Sequence, residues 1–241
     1  MIKKSIKWIL CYLFFVRDYW RFKSLSRKHS KRFRMRWSER LPCLFDRGEH
    51  VFDRHYVIHT AWAARAVARI NPKQHKDISS SLYFSTLVSA FVPTTFYDYR
   101  PVKLKMSNFT SNFANLLDLP FKDESIESIS CMHVVEHIGL GRYGDSIDPH
   151  GDLKAIAELK RVVAREGNLL FVVPLGKPRI VYNAHRIYAY DQIRRLFKDF
   201  TLKEFALIPD NPQDGDLIIN AKRELCNQQT YGCGCFWFQK K

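Results

Sequence analysis

His133, Glu136 and His137 stand in the order H-x-x-E-H within CMHVVEHIGLGRYGD (131–145), a spacing that could serve two chemistries. On one face of a helix the imidazoles could bind zinc, with the glutamate beside them as base. Off a helix, an imidazole that titrates near neutrality and is oriented by a carboxylate is a general base. The flanks favour the second chemistry. The preceding residues alternate with period two, and Gly139 and Gly141 follow almost at once, which places the string where a strand ends and a loop begins. Next, GRYGDSIDPHGD supplies Arg142, Tyr143, Asp145, Asp148, His150 and Asp152. Such carboxylates with one imidazole could hold a hard divalent ion, but a substrate loop ending in Asp152 as a helix N-cap is the preferred reading. VPLGKPRIVYNAHRIYAYD adds Lys177, Arg179, His185 and Arg186, cations suited to an anionic or phosphate-bearing acceptor, with a merely solvated basic loop as the alternative. No metal is assigned to these residues.

The elements that must position them alternate along the chain. HYVIHTAWAARAVARI predicts a helix stopped by Asn71-Pro72. HKDISSS reads as a short strand with a polar turn, SLYFSTLVSAF as a helix, and VPTTFYDYRP as a strand closing at Asp98. FANLLDLPF is expected as a third short strand ending near Asp118, and SIESISCMHVV as a fourth. DLKAIAELKRVVAREG predicts an amphipathic helix stopped by Gly167, followed by NLLFVVP as a strand buried on both faces. DQIRRLFKDF, TLKEFALI and CFWFQ complete the set as helix, strand and terminal strand. Strands alternating with helices imply an α/β fold with a doubly wound, Rossmann-like sheet. Ligands of such sheets bind outside the carboxyl ends of the strands, where Asp77, Asp98, Asp118 and the histidine string all fall.

The net charge of +15 is uneven: residues 1–40 hold thirteen Lys and Arg against Asp18 and Glu39. Within them WILCYLFFV is too short for a membrane span, which needs roughly 20 residues. Arg17, Asp18, Tyr19 and Trp20 follow it where a signal peptide would need small residues. An apolar, aromatic stripe beside clustered cations predicts a helix on an anionic membrane surface. A packing helix with a solvated basic tail is the alternative, and nucleic acid is not the expected partner. Residues 1–45 are therefore taken as a basic N-terminal segment and 46–241 as one domain. Six cysteines without a C-x-x-C pair point to reduced thiols and a cytoplasmic protein, peripheral on the membrane if the segment binds there. Cys233 and Cys235 would share one face of a strand, as small apolar side chains rather than metal ligands, because two thiols lack two further donors.

LPFKDESIESISCMHVVEHIGLGRYGD, with the later ELKRVVAREGNLLFVVP, resembles the second half of a class I S-adenosylmethionine-dependent methyltransferase. With GRYGD, DPHGD, the upstream DYRP and the terminal CGCFWFQK, the string more closely resembles the family catalogued as domain of unknown function 268. Its members are methyltransferase-like and include proteins associated with surface-polysaccharide synthesis. The resemblance implies S-adenosylmethionine as cofactor and a glycan, lipid-linked saccharide or other small-molecule acceptor. It implies that Asp77 opens the cofactor loop, with Ser79, Ser80 and Ser81 where glycines usually stand. Asp98 would hold the ribose hydroxyls, and Asp118 and Leu119 would lie beside the adenine. His133 or His137 would act as base, oriented by Glu136, while Arg142, Tyr143, Asp145, Lys177 and His185 face the acceptor. A non-catalytic, methyltransferase-shaped scaffold at the membrane is the alternative, drawn from the missing glycines. Zinc hydrolysis has the H-x-x-E-H string as nearly its only support.

Overall fold

A computed structural model of the protein describes residues 2–29, 35–45 and 52–241. Residues 30–34 of the basic stretch and 46–51 of the expected connection lie outside the described residues. The chain divides into two compact units, residues 1–52 and 53–241. In the first, helix α1 (Ile2–His29) carries a 3-10 turn, Trp37–Glu39, on its aromatic side. Tyr19 is buried there, edge-on to Trp37 with ring centroids 4.7 Å apart, whereas Ile9, Leu13, Trp20 and Leu25 stay exposed. No helix among the described residues is long and apolar enough to cross a membrane.

The second unit opens with α2 (Arg54–Ile70), whose N-cap Asp53 accepts from the Tyr56 amide and whose left-handed Asn71 ends it where expected. There follow β1 (His75–Asp77), α3 (Leu82–Val88), β2 (Thr94–Asp98), β3 (Phe109–Phe113) and β4 (Ile126–Met132). Next come α4 (Gly151–Val162), β5 (Val163–Leu175), β6 (Arg179–Val181), β7 (His185–Ile187) and α5 (Tyr190–Leu196). The chain closes with β8 (Phe200–Ile208), β9 (Ile218–Ile219), α6 (Arg223–Gln228) and β10 (Gly232–Lys240). The main sheet runs β3-β2-β1-β4-β5-β10-β8-β9. Its first five strands are parallel, and β10 inserts antiparallel between β5 and β8. It is an α/β fold with a mainly parallel central sheet.

Alternation in β5 accounts for both faces of the sheet. Leu169, Phe171 and Val173 pack with Ile156 and Leu159 of α4 and with Phe197, beyond α5. Leu170 and Val172 pack on the other face with Trp62, Ala66 and Val67 of α2, and with Phe84 of α3. Cys233 and Cys235 share that second face, as their spacing on a strand requires.

Three expectations about local structure are corrected. The third strand is Phe109–Phe113, while FANLLDLPF forms a turn in which Asn115 accepts the Leu117 amide through its side chain and the Asp118 amide through its carbonyl. Gly167 does not stop α4. That helix ends at Val162, and Gly167 lies inside β5 at a bulge beside left-handed Glu166, where a Cβ would come within 2.8 Å of the Ala164 and Ile126 carbonyl oxygens. Asp152 is not the N-cap, a position held by His150; it is buried in the first turn, accepting from the Tyr188 hydroxyl at 2.9 Å and facing Arg186 at 3.5 Å.

Candidate functional site

β4 ends at Met132, and the chain leaves the sheet through His133 in a left-handed conformation, φ +55°. The His133 amide still donates to Val172, so the ring is fixed at the strand exit. Val135–His137 then form one 3-10 turn. The two histidines of H-x-x-E-H therefore do not share a helical face, which removes the structural basis for zinc hydrolysis through that string. Gly139, at φ +81°, brings the loop back so closely that a Cβ would overlap the Asp148 carbonyl oxygen. Arg186 is buried, donating to the Ile138 carbonyl at 2.7 Å and reaching Asp152, so it clamps this loop rather than offering charge to a ligand.

A cavity of about 630 Å3 opens over this exit. His133, Glu136, His137, Arg142, Tyr143 and His185 all line it, six residues that sequence reasoning placed at the acceptor side. Asp145 stands behind the wall: its carboxylate accepts the amides of Gly139 at 2.7 Å and Tyr143 at 3.2 Å, fastening the loop. Burial opposes its ionisation, but those amides outweigh it and lower its pKa. Lys177 is exposed, and its amide pairs with Gln229.

The remaining lining comes from elsewhere in the chain. Arg54, His55 and Tyr56 begin α2, and Asp210, Thr230 and Tyr231 come from the segments around β8 and β10. Sequence reasoning missed them. His55 and His59, four apart on a predicted helix, were the available signal, because that spacing puts both on one face.

Within the cavity wall, His133 donates from Nδ1 to Glu136 Oε1 at 2.9 Å, and its Nε2 lies 3.5 Å from Cys233 Sγ. Burial opposes protonation of His133, yet Cys233 and the Glu136 carboxylate together carry its pKa up to about 10. Its ring is 4 % exposed and lies between Tyr56 and His55, with centroids 5.5 and 6.0 Å away. Burial first, and then neighbouring His133, pull the pKa of His55 down to about 4. His137 is oriented differently. Its Nδ1 lies 2.6 Å from the Ala184 carbonyl, which can only accept, so Nδ1 carries the proton and the neutral ring keeps its lone pair on Nε2. Arg142 donates to the same carbonyl at 3.0 Å. Glu136 is buried, and its Oε2 has no partner among the described residues.

The residues expected at the cofactor lie at the carboxyl ends of β1 and β2 and in the turn beyond β3, and do not line this cavity. Asp77 is fully buried and accepts the hydroxyls of Ser79, Ser85 and Ser130. Ser79 is buried with it. Ser80 is exposed; its hydroxyl meets that of Tyr56 at 2.9 Å and so joins this edge to the cavity. Asp98 ends β2 with its side chain 34 % exposed, one oxygen accepting the Arg100 amide at 2.7 Å. Asp118 is exposed in its turn, while Leu119 is buried in the core, its amide donating to Glu158 and its carbonyl accepting from Arg161.

A family model described as "Caenorhabditis protein of unknown function, DUF268" matches residues 96–224. An uncharacterized protein of Methanocaldococcus jannaschii is 28% identical over 102 residues, a match that takes in 41% of this chain and only 38% of that relative's length. Among solved structures, the chain is similar to a putative sarcosine dimethylglycine methyltransferase from Galdieria sulphuraria, with TM-score 0.55 and 14% identity over 77% of this chain and 86% of that one. It is also similar to the N-methyltransferase NodS from Bradyrhizobium japonicum, in complex with S-adenosylhomocysteine, with TM-score 0.51 and 12% identity over 83% and 91% of the two chains. At these identities the likeness establishes the fold, that of class I methyltransferases.

Proposed function

The chain belongs to the family described as Caenorhabditis protein of unknown function, DUF268, and from that membership and its fold we propose that it is an S-adenosylmethionine-dependent methyltransferase. The observation that carries the chemistry is His137, held by the Ala184 carbonyl so that Nε2 can accept a proton inside the cavity. An acceptor hydroxyl resting against Nε2 would pass its proton there as its oxygen takes the methyl group. The imidazolium so formed would keep its Nδ1 proton on Ala184, with the Glu136 carboxylate 3.9 Å from Nε2 to stabilise it. His133, buried between two rings and bonded at both nitrogens, is better suited to positioning Glu136 than to taking the proton.

When bound, S-adenosylmethionine supplies a methyl group already activated on sulfonium. The residues present fit its ribose end: Asp98 is a partly exposed carboxylate at the carboxyl end of β2, able to accept two hydroxyls. Ser80 and the loop behind it would face the methionine portion. Asp98→Ala is expected to weaken S-adenosylmethionine binding about tenfold or more in calorimetry, the loss of charge-assisted hydrogen bonds. Unchanged affinity would remove Asp98 from the cofactor site.

As acceptor we propose a glycan or lipid-linked saccharide in surface-polysaccharide synthesis. Tyr143 and Tyr231 offer aromatic faces to a sugar ring, and Arg142 and His185 offer donors to its hydroxyls or to a phosphate. Membrane-surface attachment through α1 fits such an acceptor, since Ile9, Leu13, Trp20 and Leu25 are exposed on a helix rich in cations. The full chain is expected to sediment with phosphatidylserine-containing vesicles, and Leu13→Glu with Trp20→Glu to reduce that binding by about tenfold or more through lost apolar burial. Equal sedimentation of both proteins would remove the anchor. A scaffold without catalysis is the second reading, favoured by Ser79, Ser80 and Ser81 in place of glycines. Calorimetry with S-adenosylmethionine decides between the two: an absence of binding at millimolar cofactor selects the scaffold.

A further inference from the structure

We propose that His55, His133 and Cys233 bind a transition-metal ion of the zinc class, with its fourth coordination position open to the cavity. One donor atom from each residue lies within 4.8 Å of the other two. The gap between His133 Nε2 and Cys233 Sγ is 3.5 Å. Bonds of about 2.0–2.1 Å to nitrogen and 2.3 Å to sulfur at a tetrahedral angle would place such donors ~3.6 Å apart, so the pair stands at the separation a metal would impose. A weak thiol–imidazole hydrogen bond could produce the same distance, but three further features point to an ion.

First, Glu136 Oε1 accepts from the other nitrogen of His133, the carboxylate–histidine arrangement that fixes the ring and raises its basicity toward a metal. Second, His59 lies one turn beyond His55, its ring edge-on to His133 with centroids 4.9 Å apart. It is fully buried, yet its Nε2 has no hydrogen-bond partner among the described residues. A buried orphan nitrogen costs stability unless something at this cluster satisfies it, such as a metal-bound water. Third, His55 and His133 both line the cavity, so a water or an acceptor oxygen or sulfur could complete the coordination from there. Three protein donors with one open position are the pattern of reactive rather than structural zinc sites, and two nitrogens with one sulfur select zinc or cobalt over magnesium or calcium. Cys233 would release its thiol proton, and His133 the proton on Nε2, to solvent as the ion binds, each then offering a lone pair to the metal. The two imidazoles that join Cys233 are thus supplied by α2 and by the exit of β4, and Cys235 takes no part.

Metal analysis of the purified full-length chain after loading with zinc and desalting tests this, with no need for a methyl acceptor. About one zinc per chain is expected, falling below ~0.2 in His55→Ala and in Cys233→Ser. Cobalt loading of the wild-type chain should give an intense thiolate-to-cobalt absorption that Cys233→Ser abolishes, and circular dichroism should show both variants folded. Failure of the wild-type chain to retain zinc, or undiminished zinc in the Cys233 variant, overturns the site and leaves a thiol–imidazole hydrogen bond in its place. Should His55→Ala fail to fold, the presence or absence of the cobalt–thiolate absorption in the wild-type chain still decides. Loss of the metal site would leave S-adenosylmethionine binding at Asp98 untouched, so the two readings fail separately.

Discussion

His137→Ala is expected to lower kcat for methyl transfer by about 10²–10⁴-fold, the usual worth of a positioned general base. The affinity for S-adenosylmethionine should stay within about threefold, because the lost interaction belongs to the reacting proton and not to the cofactor. The residue suits the experiment because its surroundings are simple. Its Nδ1 bond to Ala184 uses a backbone carbonyl, and Arg142 continues to donate to that oxygen after the substitution. The variant should therefore fold with the loop from 139 to 149 still clamped by Arg186 and Asp145. The same substitution at His133 would instead remove a buried ring packed against Tyr56, His55 and His59, and would mix catalysis with stability. A His137→Ala enzyme retaining kcat within about threefold of wild type would sink the assignment of the base.

The second large effect lies at Asp77 and is read through pH. Burial raises its pKa from 3.8 to about 6, although three serine hydroxyls hold it down. Between those pH values the folded chain keeps a proton that the unfolded chain has lost. The stability contributed by that proton is complete below pH 3.8 and is lost as pH rises through 6, a change of about 3 kcal/mol. Buried His75 meets the same cluster through Ser128 and Ser130 and acts in the opposite sense. Its pKa is drawn by burial from 6.5 down to about 3, so its contribution grows as pH rises between those values. The wild-type profile sums both, and only a difference isolates Asp77. Asp77→Asn removes the titration, so the stability of wild type relative to the variant should fall by about 2 kcal/mol from pH 4 to pH 7 in urea unfolding. Parallel profiles for the two proteins would show that Asp77 does not titrate in the folded state. The consequence reaches function, because Asp77 and its serines set the loop that must face the methionine portion of the cofactor.

Much of the scaffold was legible in local pattern. The alternation in SIESISCMHVV predicts β4, and the apolar run NLLFVVP predicts a strand buried on both faces, as β5 is. The misreadings fall where a side chain or a bulge overrides the pattern. Asn115 turns FANLLDLPF back on itself, and left-handed Glu166 lets β5 begin at Val163, so the glycine after it sits in a strand rather than at a helix end. At the site, five residues from the loop after β4 and His185 at the start of β7 reach the cavity, but Asp145 and Arg186 prove to be fasteners of the loop. Composition cannot separate a charge that meets a ligand from one that satisfies backbone groups.

By itself the sequence determined that strands and helices alternate, that H-x-x-E-H sits at a strand exit, and that the positive charge gathers in the first forty residues. These are properties of period and composition, set by which residues must face a core. Only the tertiary structure decided that His55 from the start of α2 and Cys233, 100 residues beyond His133, would meet at that exit. That meeting depends on β10 inserting antiparallel between β5 and β8 and on α2 packing across the same face. Strand order is settled by the joint burial of both sheet faces, a global condition with no local period, and for that reason a cluster assembled from three distant segments leaves no motif in the chain.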